Sequence, residues 1–271
     1  MPAKKSNPPK ISVVIPSYNK VKYIGETLAS IVNQDYTNYE VIIQDGGSLD
    51  GTLEVIKKYA NKFPHNITWV SRKDMGQLDA VNKGMRKASG DILTYINADD
   101  VYLPNAFSEV SNIYLKDSDC LWYAGKSILV DERGRKVDHW LNTLVVARYK
   151  DFLLRVNRYK FLLVVNYLMQ PSLFITKAAF EKYGPFTGVR NFIMEYEMWL
   201  KIGKTRMPVV IDKNLACFRM STTNITSTKY RDLLMEDMKV AKKYTNNLLV
   251  LFFHWLNNFI RCSVIRILPN S

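Results

Sequence analysis

Two adjacent carboxylates follow a short apolar segment and are the residues of this chain with the clearest chemical potential. The segment 91–96 has the composition of a buried strand, and Asp99 and Asp100 come shortly after it. Two like charges this close raise each other's pKa unless a cation lies between them, and all-oxygen ligation suits Mg²⁺ or Mn²⁺ better than zinc. Because ligands of open α/β sheets bind beyond the carboxyl ends of strands, the pair is placed to hold a metal ion that contacts a phosphate. The alternative is that the pair only caps the next helix or turn.

The elements that must position this pair alternate along the first part of the chain. Apolar runs typical of buried strands lie at 11–15, 39–44, 67–71 and 91–96. Segments with helical spacing or helix-entry residues lie at 21–34, 51–62, 77–88 and 104–116. This alternation predicts a Rossmann-like, mostly parallel sheet that is flanked by helices and connected by right-handed crossovers. No G-x-G-x-x-G follows the first strand and no G-x-x-x-x-G-K-[ST] occurs, which disfavours a dehydrogenase or a P-loop nucleotidase.

The rest of the chain predicts a continuation of the sheet and a helical end. Strands are expected at 119–130, 136–141, 170–175 and 209–211, the first two being joined by a turn at 131–134. Helices are expected at 176–183 and 194–203. Residues 1–10 are basic and proline-rich, and we expect a flexible lead rather than a signal peptide.

Charge is distributed unevenly along this chain of 271 residues. The formal net charge is +13, of which residues 1–140 contribute +1 and residues 141–271 contribute +12. An anionic partner, either nucleic acid or a membrane surface, is therefore expected to contact the second half. The three cysteines have no C-x-x-C spacing and the three histidines have no metal-ligand spacing. This pattern disfavours a zinc site and a disulfide framework, and it suits a reducing compartment.

An ordered set of motifs resembles the inverting family 2 glycosyltransferases, which have the GT-A fold. The set spans roughly residues 11–220, and although each motif alone is weak, their order and spacing are specific. The motifs are ISVVIPSYN at 11–19, QDGGSLDGT at 44–52, GQLDAVNKG at 76–84, SGD at 89–91, NADD at 97–100 and MEYEMWLK at 194–201. The chain departs from the family at Gly46, where many members carry a second aspartate that contacts uracil, and at Asn97, which replaces the first acid of D-x-D.

The resemblance implies a role for each motif. Asp99 and Asp100 would hold Mn²⁺ or Mg²⁺, with Asp99 also near the ribose or diphosphate. Glu195 would be the catalytic base and Glu197 the second choice, because residues two apart on a helix point about 200° apart. Without the resemblance, both glutamates would be read as solvated helix residues. The nucleotide sugar, a UDP-sugar by default, would contact Pro16, Ser17, Tyr18, Asn19, Asp45, Gly46, Gln77, Asn82, Lys83, Asn97 and Asp99.

The C-terminal segment 248–268 is apolar, but its polar residues form one helical stripe. His254, Asn257, Asn258 and Arg261 follow the i, i+3, i+4, i+7 spacing, and the polar content argues against a membrane span. We expect an amphipathic helix at a membrane surface, assisted by the basic segment 148–160. The alternative is a helix that docks its broad apolar face on the catalytic domain or on a second subunit.

These observations predict three regions and one leading function. The regions are a lead at 1–10, a GT-A catalytic domain at 11–225 with a nucleotide-binding half at 11–100 and an acceptor half at 101–225, and a basic amphipathic tail at 226–271. The expected function is metal-dependent, inverting sugar transfer to a glycan or lipid-linked acceptor in cell-surface polysaccharide or glycolipid synthesis. We expect a cytoplasmic enzyme at the inner face of the membrane, possible oligomerisation and no nucleic-acid partner. The alternatives are an inactive relative and a basic protein that binds membrane or nucleic acid.

Overall fold

The computed structural model describes residues 7–117, 119–137, 148–188, 193–220 and 230–267. The predicted alternation of strands and helices is present in its first part. The strands are β1 (Ile11–Ser17), β2 (Tyr39–Asp45), β3 (Ile67–Ser71), β4 (Ile92–Tyr95) and β5 (Val101–Tyr102). The helices are α1 (Ile24–Val32), α2 (Thr52–Lys62), α3 (Gln77–Lys87) and α4 (Ala106–Lys116). Only the two-residue strand β5 was not expected, because two residues are too few to show a periodicity.

The second part adds three strands, six α-helices and one 3₁₀ helix (Gln170–Ser172) among the described residues, so the strand expected at 170–175 begins only at Leu173. The strands are β6 (Trp122–Val130), β7 (Leu173–Thr176) and β8 (Val209–Arg219). The helices are α5 (Arg148–Val156), α6 (Tyr159–Val164), α7 (Lys177–Tyr183), α8 (Met194–Thr205), α9 (Tyr230–Tyr244) and α10 (Leu248–Ile267). Of the strand expected at 136–141, Lys136 forms an isolated antiparallel bridge with Val130, and residues 138–141 lie outside the described residues.

The strands form one sheet in the order β3-β2-β1-β4-β7-β6-β8-β5. The pairs β3-β2, β2-β1, β1-β4 and β6-β8 are parallel, whereas β4-β7, β7-β6 and β8-β5 are antiparallel. Alternate residues of β1 enter two apolar cores, with Val14 in one and Val13 and Ile15 in the other. The sheet is therefore covered on both faces, which explains why its strands appear as continuous apolar runs.

Helix α3 lies directly against β1 because Gly84 has no side chain. A Cβ atom on Gly84 would lie 2.3 Å from Cγ1 of Val14, far inside van der Waals contact. This close approach brings the first turn of α3 to the carboxyl edge of the parallel strands, where Asp45 and the residues that follow Tyr95 also lie.

The last strand is longer than the sequence indicated. We expected 209–211, but β8 continues to Arg219 and pairs with both β6 and β5. The apolar pattern is interrupted by Asp212, Lys213 and Asn214, which are exposed where the register of the β6 pairing shifts. Because of this interruption, the residues after 211 show no regular strand pattern in the sequence. The pairing of β8 nevertheless places Arg219 beside the acidic pair.

Helix α10 packs with its polar stripe inward. His254 is fully buried, with Nδ1 2.7 Å from the carbonyl oxygen of Leu163 and Nε2 3.0 Å from Asp237. Asn258 donates to the carbonyl of Leu234 at 2.9 Å and to Asp237 at 2.8 Å. The alternative expectation, that the broad apolar face docks on the catalytic domain, is therefore wrong. The stripe docks because it satisfies buried polar groups of α6 and α9.

The opposite face of α10 is apolar and exposed. At 100° per residue, its exposed large side chains fall within an arc of about 160°. They are Leu248, Leu249, Phe252, Phe253, Trp255, Phe259 and Ile260, each between 51% and 81% exposed. Among the helices of the described residues, none is long and apolar enough to span a membrane.

Candidate active site

The acidic pair lies in a buried turn just beyond β4. Asp99 is 5% exposed and Asp100 is 1% exposed. Asp99 accepts a charge-assisted hydrogen bond from Nζ of Lys20 at 2.6 Å. Asp100 accepts from the backbone N–H of Arg219 at 2.8 Å and from the Asn97 amide at 3.3 Å. The loop after β1, the turn after β4 and the end of β8 thus meet at this pair.

The electrostatics of the pair favour a bound cation. Burial, and next the charge of Asp99, raise the pKa of Asp100 well above its usual range, although Arg219, Asn97 and Lys20 act in the opposite direction. Asp99 and Asp100 are both buried carboxylates, and the ion pair with Lys20 offsets one of their two negative charges. An excess of negative charge therefore remains at the pair. Among the described residues, no group of three or more His, Cys, Asp or Glu side chains is placed to hold a metal ion. Asp99 and Asp100 therefore fit Mg²⁺ or Mn²⁺ that takes its remaining ligands from a diphosphate and water, a common arrangement for Mg²⁺.

A third carboxylate, Glu195, is linked to the same strand end. It lies in the first turn of α8 and accepts a hydrogen bond from the hydroxyl of Tyr95, the last residue of β4. Burial raises the pKa of Glu195 above its ordinary value, and the bond from Tyr95 partly offsets this. A half-buried carboxylate with a raised pKa is suited to accept a proton near neutral pH.

Glu197 has a different environment from Glu195. Its carboxylate accepts from the Thr187 hydroxyl at 3.1 Å and the Tyr244 hydroxyl at 3.3 Å, and Lys243 lies 3.4 Å away. Burial raises the pKa of Glu197, but the hydrogen bond from Thr187 and the charges of Lys243 and Lys201 outweigh burial, so the pKa is lowered. The glutamate joins α8 to the end of α9.

The end of β1 carries a buried hydroxyl with no hydrogen-bond partner among the described residues, and the loop that follows carries an exposed aromatic ring. Pro16 pairs with Gln44 inside the sheet, and Ser17 is buried with an Oγ that has no partner among the described residues. Tyr18 is 61% exposed. Asn19 adopts a left-handed conformation with a φ of 51°, and its side chain accepts from the N–H of Leu49 at 3.1 Å.

Asp45 organises the loop that follows β2. Its carboxylate accepts from the N–H groups of Gly47 and Ser48 at 3.0 and 2.9 Å, from the Ser48 hydroxyl, and from the Ser71 hydroxyl at 2.7 Å. Gly46 donates its N–H to the Ser17 carbonyl at 2.8 Å. These bonds bring the loops after β1, β2 and β3 together.

The expected residues of α3 differ in their surroundings. Gln77 donates to Asn97 at 2.6 Å and so contacts the acidic turn. Asn82 exchanges two hydrogen bonds with the backbone of Phe186, at 2.9 Å each. Lys83 pairs with Asp79 of its own helix at 2.6 Å. Of the three side chains, Gln77 is the one in direct contact with another predicted site residue.

Sequence reasoning missed three residues of this site. Lys20 directly follows the predicted β1 loop, so its position in the motif was the available signal. Tyr95 was visible only as a strand residue, since its partner Glu195 is 100 residues away. Arg219 lies on a strand whose length was underestimated, and its partner Asp100 is 119 residues away.

Comparison with known proteins gives a family match. A family model described as "Glycosyl transferase family 2" matches residues 12–182, which is more than half of the chain. An uncharacterised glycosyltransferase of Rickettsia prowazekii (strain Madrid E) is 27% identical over 228 residues, covering 83% of this chain and 68% of that protein. The Staphylococcus aureus poly(ribitol-phosphate) beta-N-acetylglucosaminyltransferase TarS is 34% identical over 93 residues, covering 34% of this chain and 16% of TarS. The chain thus spans well under two thirds of the length of TarS.

Two solved structures resemble the fold. The mannosyltransferase PcManGT of Pyrobaculum calidifontis, in complex with GDP-Man and Mn²⁺, has a TM-score of 0.65 at 17% identity, covering 98% of this chain and 77% of that one. S. aureus TarS 1-349 in complex with UDP-GlcNAc has a TM-score of 0.57 at 18% identity, covering 85% of this chain and 66% of that one. At these identities the likeness concerns the fold.

Proposed function

The chain belongs to glycosyl transferase family 2 and has the GT-A fold, and from this premise we propose that it transfers a sugar from a UDP-sugar to a hydroxyl group of a glycan or lipid-linked acceptor. The proposal rests on the groups that lie together at the end of β4. Tyr95 contacts Glu195, and the acidic pair follows within five residues. One strand end therefore supports both a proton acceptor and carboxylates for a metal–diphosphate complex. We assign donor binding to 11–100 and acceptor binding to 101–225.

In the proposed reaction Glu195 takes the proton of the acceptor hydroxyl. The hydroxyl oxygen attacks the anomeric carbon from the face opposite the diphosphate, the bond from that carbon to the diphosphate oxygen breaks, and the configuration inverts. Lys20, the backbone N–H of Arg219 and the amide of Asn97 hold the acidic turn in place. Mg²⁺ or Mn²⁺ on Asp99 and Asp100 would neutralise the charge that develops on the departing diphosphate.

Nucleotide release from UDP-, GDP- and dTDP-sugars with Mn²⁺ tests this proposal. We expect turnover of one donor that Asp100→Ala abolishes and that Glu195→Gln lowers by about 10²- to 10⁴-fold, the usual range for a lost general base. Glu197→Gln is the matched control, because Glu197 joins two helices rather than contacting Tyr95. If no donor is turned over and no nucleotide binds in a metal-dependent way, the assignment as an enzyme is overturned. That result would support the alternative of a basic protein that binds other partners.

We also infer that the protein is cytoplasmic and associates peripherally with the inner face of a membrane. The support is the exposed apolar face of α10, together with Phe152 of α5 and Phe161 of α6, which are 61% and 42% exposed. The segment 148–160 that carries α5 also contains five basic residues, of which Arg148, Arg155, Arg158 and Lys160 are exposed and Lys150 is partly buried. An exposed aromatic surface bordered by positive charge matches an anionic bilayer surface.

Arg261 of α10 lies close enough to α5 to act on the charge of Lys150. Burial, and next the charge of Arg261 on α10, lower the pKa of Lys150 on α5 to about 8. The surface begins near α8, because Tyr244 contacts Glu197 of that helix and α10 starts only four residues later. Four residues span at most about 14 Å of chain. A lipid-linked acceptor held at this surface would therefore lie on the side of the molecule that carries α8.

A further inference from the structure

Two basic side chains from different helices lie near each other between α5 and α10. They are Lys150, in the first turn of α5, and Arg261, the last residue of the polar stripe of α10. The charge of Arg261 lowers the pKa of Lys150, and it also opposes the rise that burial causes in the pKa of Tyr149. Because Tyr149 and Lys150 are consecutive, the Arg261 guanidinium lies close to the first turn of α5.

Lys150 has no carboxylate partner within the part of the chain that the structure describes. Its Nζ donates to Sδ of Met169 at 3.4 Å, and a thioether is a weak acceptor that carries no charge. Burial and the charge of Arg261 lower the pKa of Lys150 to about 8, and no carboxylate counters them. Arg155 of the same helix, in contrast, lies 3.6 Å from Asp212. The positive charge of Lys150 is therefore left for a bound anion to neutralise.

The contacts of Lys150 lead toward the proposed base. Gln170, the residue after Met169, donates to the carbonyl of Tyr95 at 2.6 Å. The hydroxyl of Tyr95 in turn donates to Glu195. Three residues thus connect the ammonium group of Lys150 with the group that would take the proton of the acceptor hydroxyl. An anion bound to Lys150 would belong to the acceptor and not to the donor, whose diphosphate is assigned to the acidic pair.

The exposed apolar surface begins beside the two cations. At about 100° per residue, Phe253 lies about 80° from Arg261 around α10, and it is 52% exposed. Phe152, two residues after Lys150, is 61% exposed. Recessed cations next to exposed apolar side chains match a phosphate ester that carries an apolar chain.

We propose that Lys150 and Arg261 bind the phosphate group of a lipid-linked acceptor, whose apolar chain lies along the exposed face of α10. This inference rests on the proposed transfer to such an acceptor, and it identifies the group by which the acceptor is recognised. The two cations come from α5 and α10, so the site forms only where the tail packs on the catalytic domain.

Titration calorimetry with farnesyl monophosphate, a short lipid phosphate, tests this site on the full chain. EDTA is included so that no metal ion draws the probe to the acidic pair. We expect Lys150→Gln and Arg261→Gln each to weaken binding about tenfold or more, as for a lost hydrogen bond to a charged group. Lys150→Arg should retain most of the affinity because it keeps the charge. Lys160→Gln is the matched control at an exposed position of the segment 148–160 and should bind like wild type.

The probe and its competitors distinguish this site from other phosphate sites. Inorganic phosphate lacks the chain and farnesol lacks the charge, so both should bind more weakly than farnesyl monophosphate. An equal loss in Lys150→Gln and Lys160→Gln would indicate a general basic surface and overturn the site. Displacement of the probe by UDP, or its loss in Asp100→Ala, would place the probe in the nucleotide site and overturn the proposal as well.

Sedimentation with phosphatidylglycerol vesicles separates the acceptor phosphate from bilayer headgroups. Lys150→Gln should sediment like Lys160→Gln. A selective loss of vesicle binding in Lys150→Gln, with unchanged affinity for farnesyl monophosphate, would assign the pair to headgroups and overturn the acceptor site. A wild type that turns over a donor but binds no farnesyl monophosphate overturns this inference alone. One that binds neither farnesyl monophosphate nor, with Mn²⁺, any donor nucleotide overturns the proposed function too.

Discussion

At the residue scale, the candidate site separates carboxylates that are available from those that have structural partners. Glu195 is half-buried and, among the described residues, accepts from one hydroxyl group, whereas Glu197 and Asp45 each have several partners. The partners of Asp45 are groups of the neighbouring loops, so its role in base binding stays a prediction. The hydroxyl of Tyr95 is the contact that distinguishes Glu195, and its removal should change the titration of the proposed base.

Tyr95→Phe should shift the acidic limb of the kcat/KM pH profile to higher pH. The bond from Tyr95 lowers the pKa of Glu195, so its loss leaves burial unopposed and raises that pKa further. Glu195 then becomes protonated, and unable to accept a proton, at a higher pH. A lost bond to a charged group corresponds to about 1–2 pH units.

The control for this profile is Tyr102→Phe. It removes another buried hydroxyl, one that lies 3.1 Å from Oγ1 of Thr94 and does not contact Glu195. Both variants should fold, since phenylalanine retains the packed rings. A limb that moves equally in both variants, or in neither, would contradict the assignment of Tyr95 as a positioning residue for the base.

At the element scale, the site depends on how closely α3 and β1 approach. Gly84 allows this contact, and Gln77 at the start of α3 reaches Asn97 in the acidic turn. The long pairing of β8 has a similar effect, because it places the N–H of Arg219 against Asp100. Elements that are distant in the chain thus define the shape of the turn beyond β4.

Gly84→Ala should destabilise the protein by about 1–3 kcal/mol, the usual cost of overpacking a core, because the new methyl group would overlap Val14. Gly203→Ala in α8 is the matched control. Its new Cβ would lie 3.3 Å or more from its neighbours, the nearest being the flexible side chain of Met207. Thermal unfolding compares the two, and equal melting temperatures for wild type and Gly84→Ala would contradict the packing argument.

At the scale of the whole molecule, α10 is attached by polar groups and displays its apolar residues. Asp237 receives contacts from both His254 and Asn258, so a single buried carboxylate joins α9 to α10. The exposed face of α10 adjoins a basic segment and lies near α8. This arrangement relates the proposed membrane surface to the proposed acceptor side of the site.

Wild-type protein should sediment with vesicles that contain phosphatidylglycerol and less with vesicles of phosphatidylcholine alone, and high salt should weaken the binding. Phe252→Glu combined with Trp255→Glu should abolish sedimentation, because both exposed rings would become charged. Val70→Glu, an exposed position on the edge strand β3, should have no effect. Absence of vesicle binding, together with a dimer that the double variant dissociates, would instead identify α10 as a subunit interface.

Local sequence patterns were sufficient to predict the alternating strands and helices, the acidic turn after β4 and the glutamates of α8. These features depend on residue type and spacing within a few positions, and the motifs indicated the family that the comparison confirmed. The tertiary structure decided which side chains meet: Lys20 and Asp99 are 79 residues apart, and Gly46 meets Asp74 only through the order of the strands. It also decided that the polar stripe of α10 is the buried one. A periodic pattern defines two faces of a helix, whereas the groups packed against it determine which face is covered.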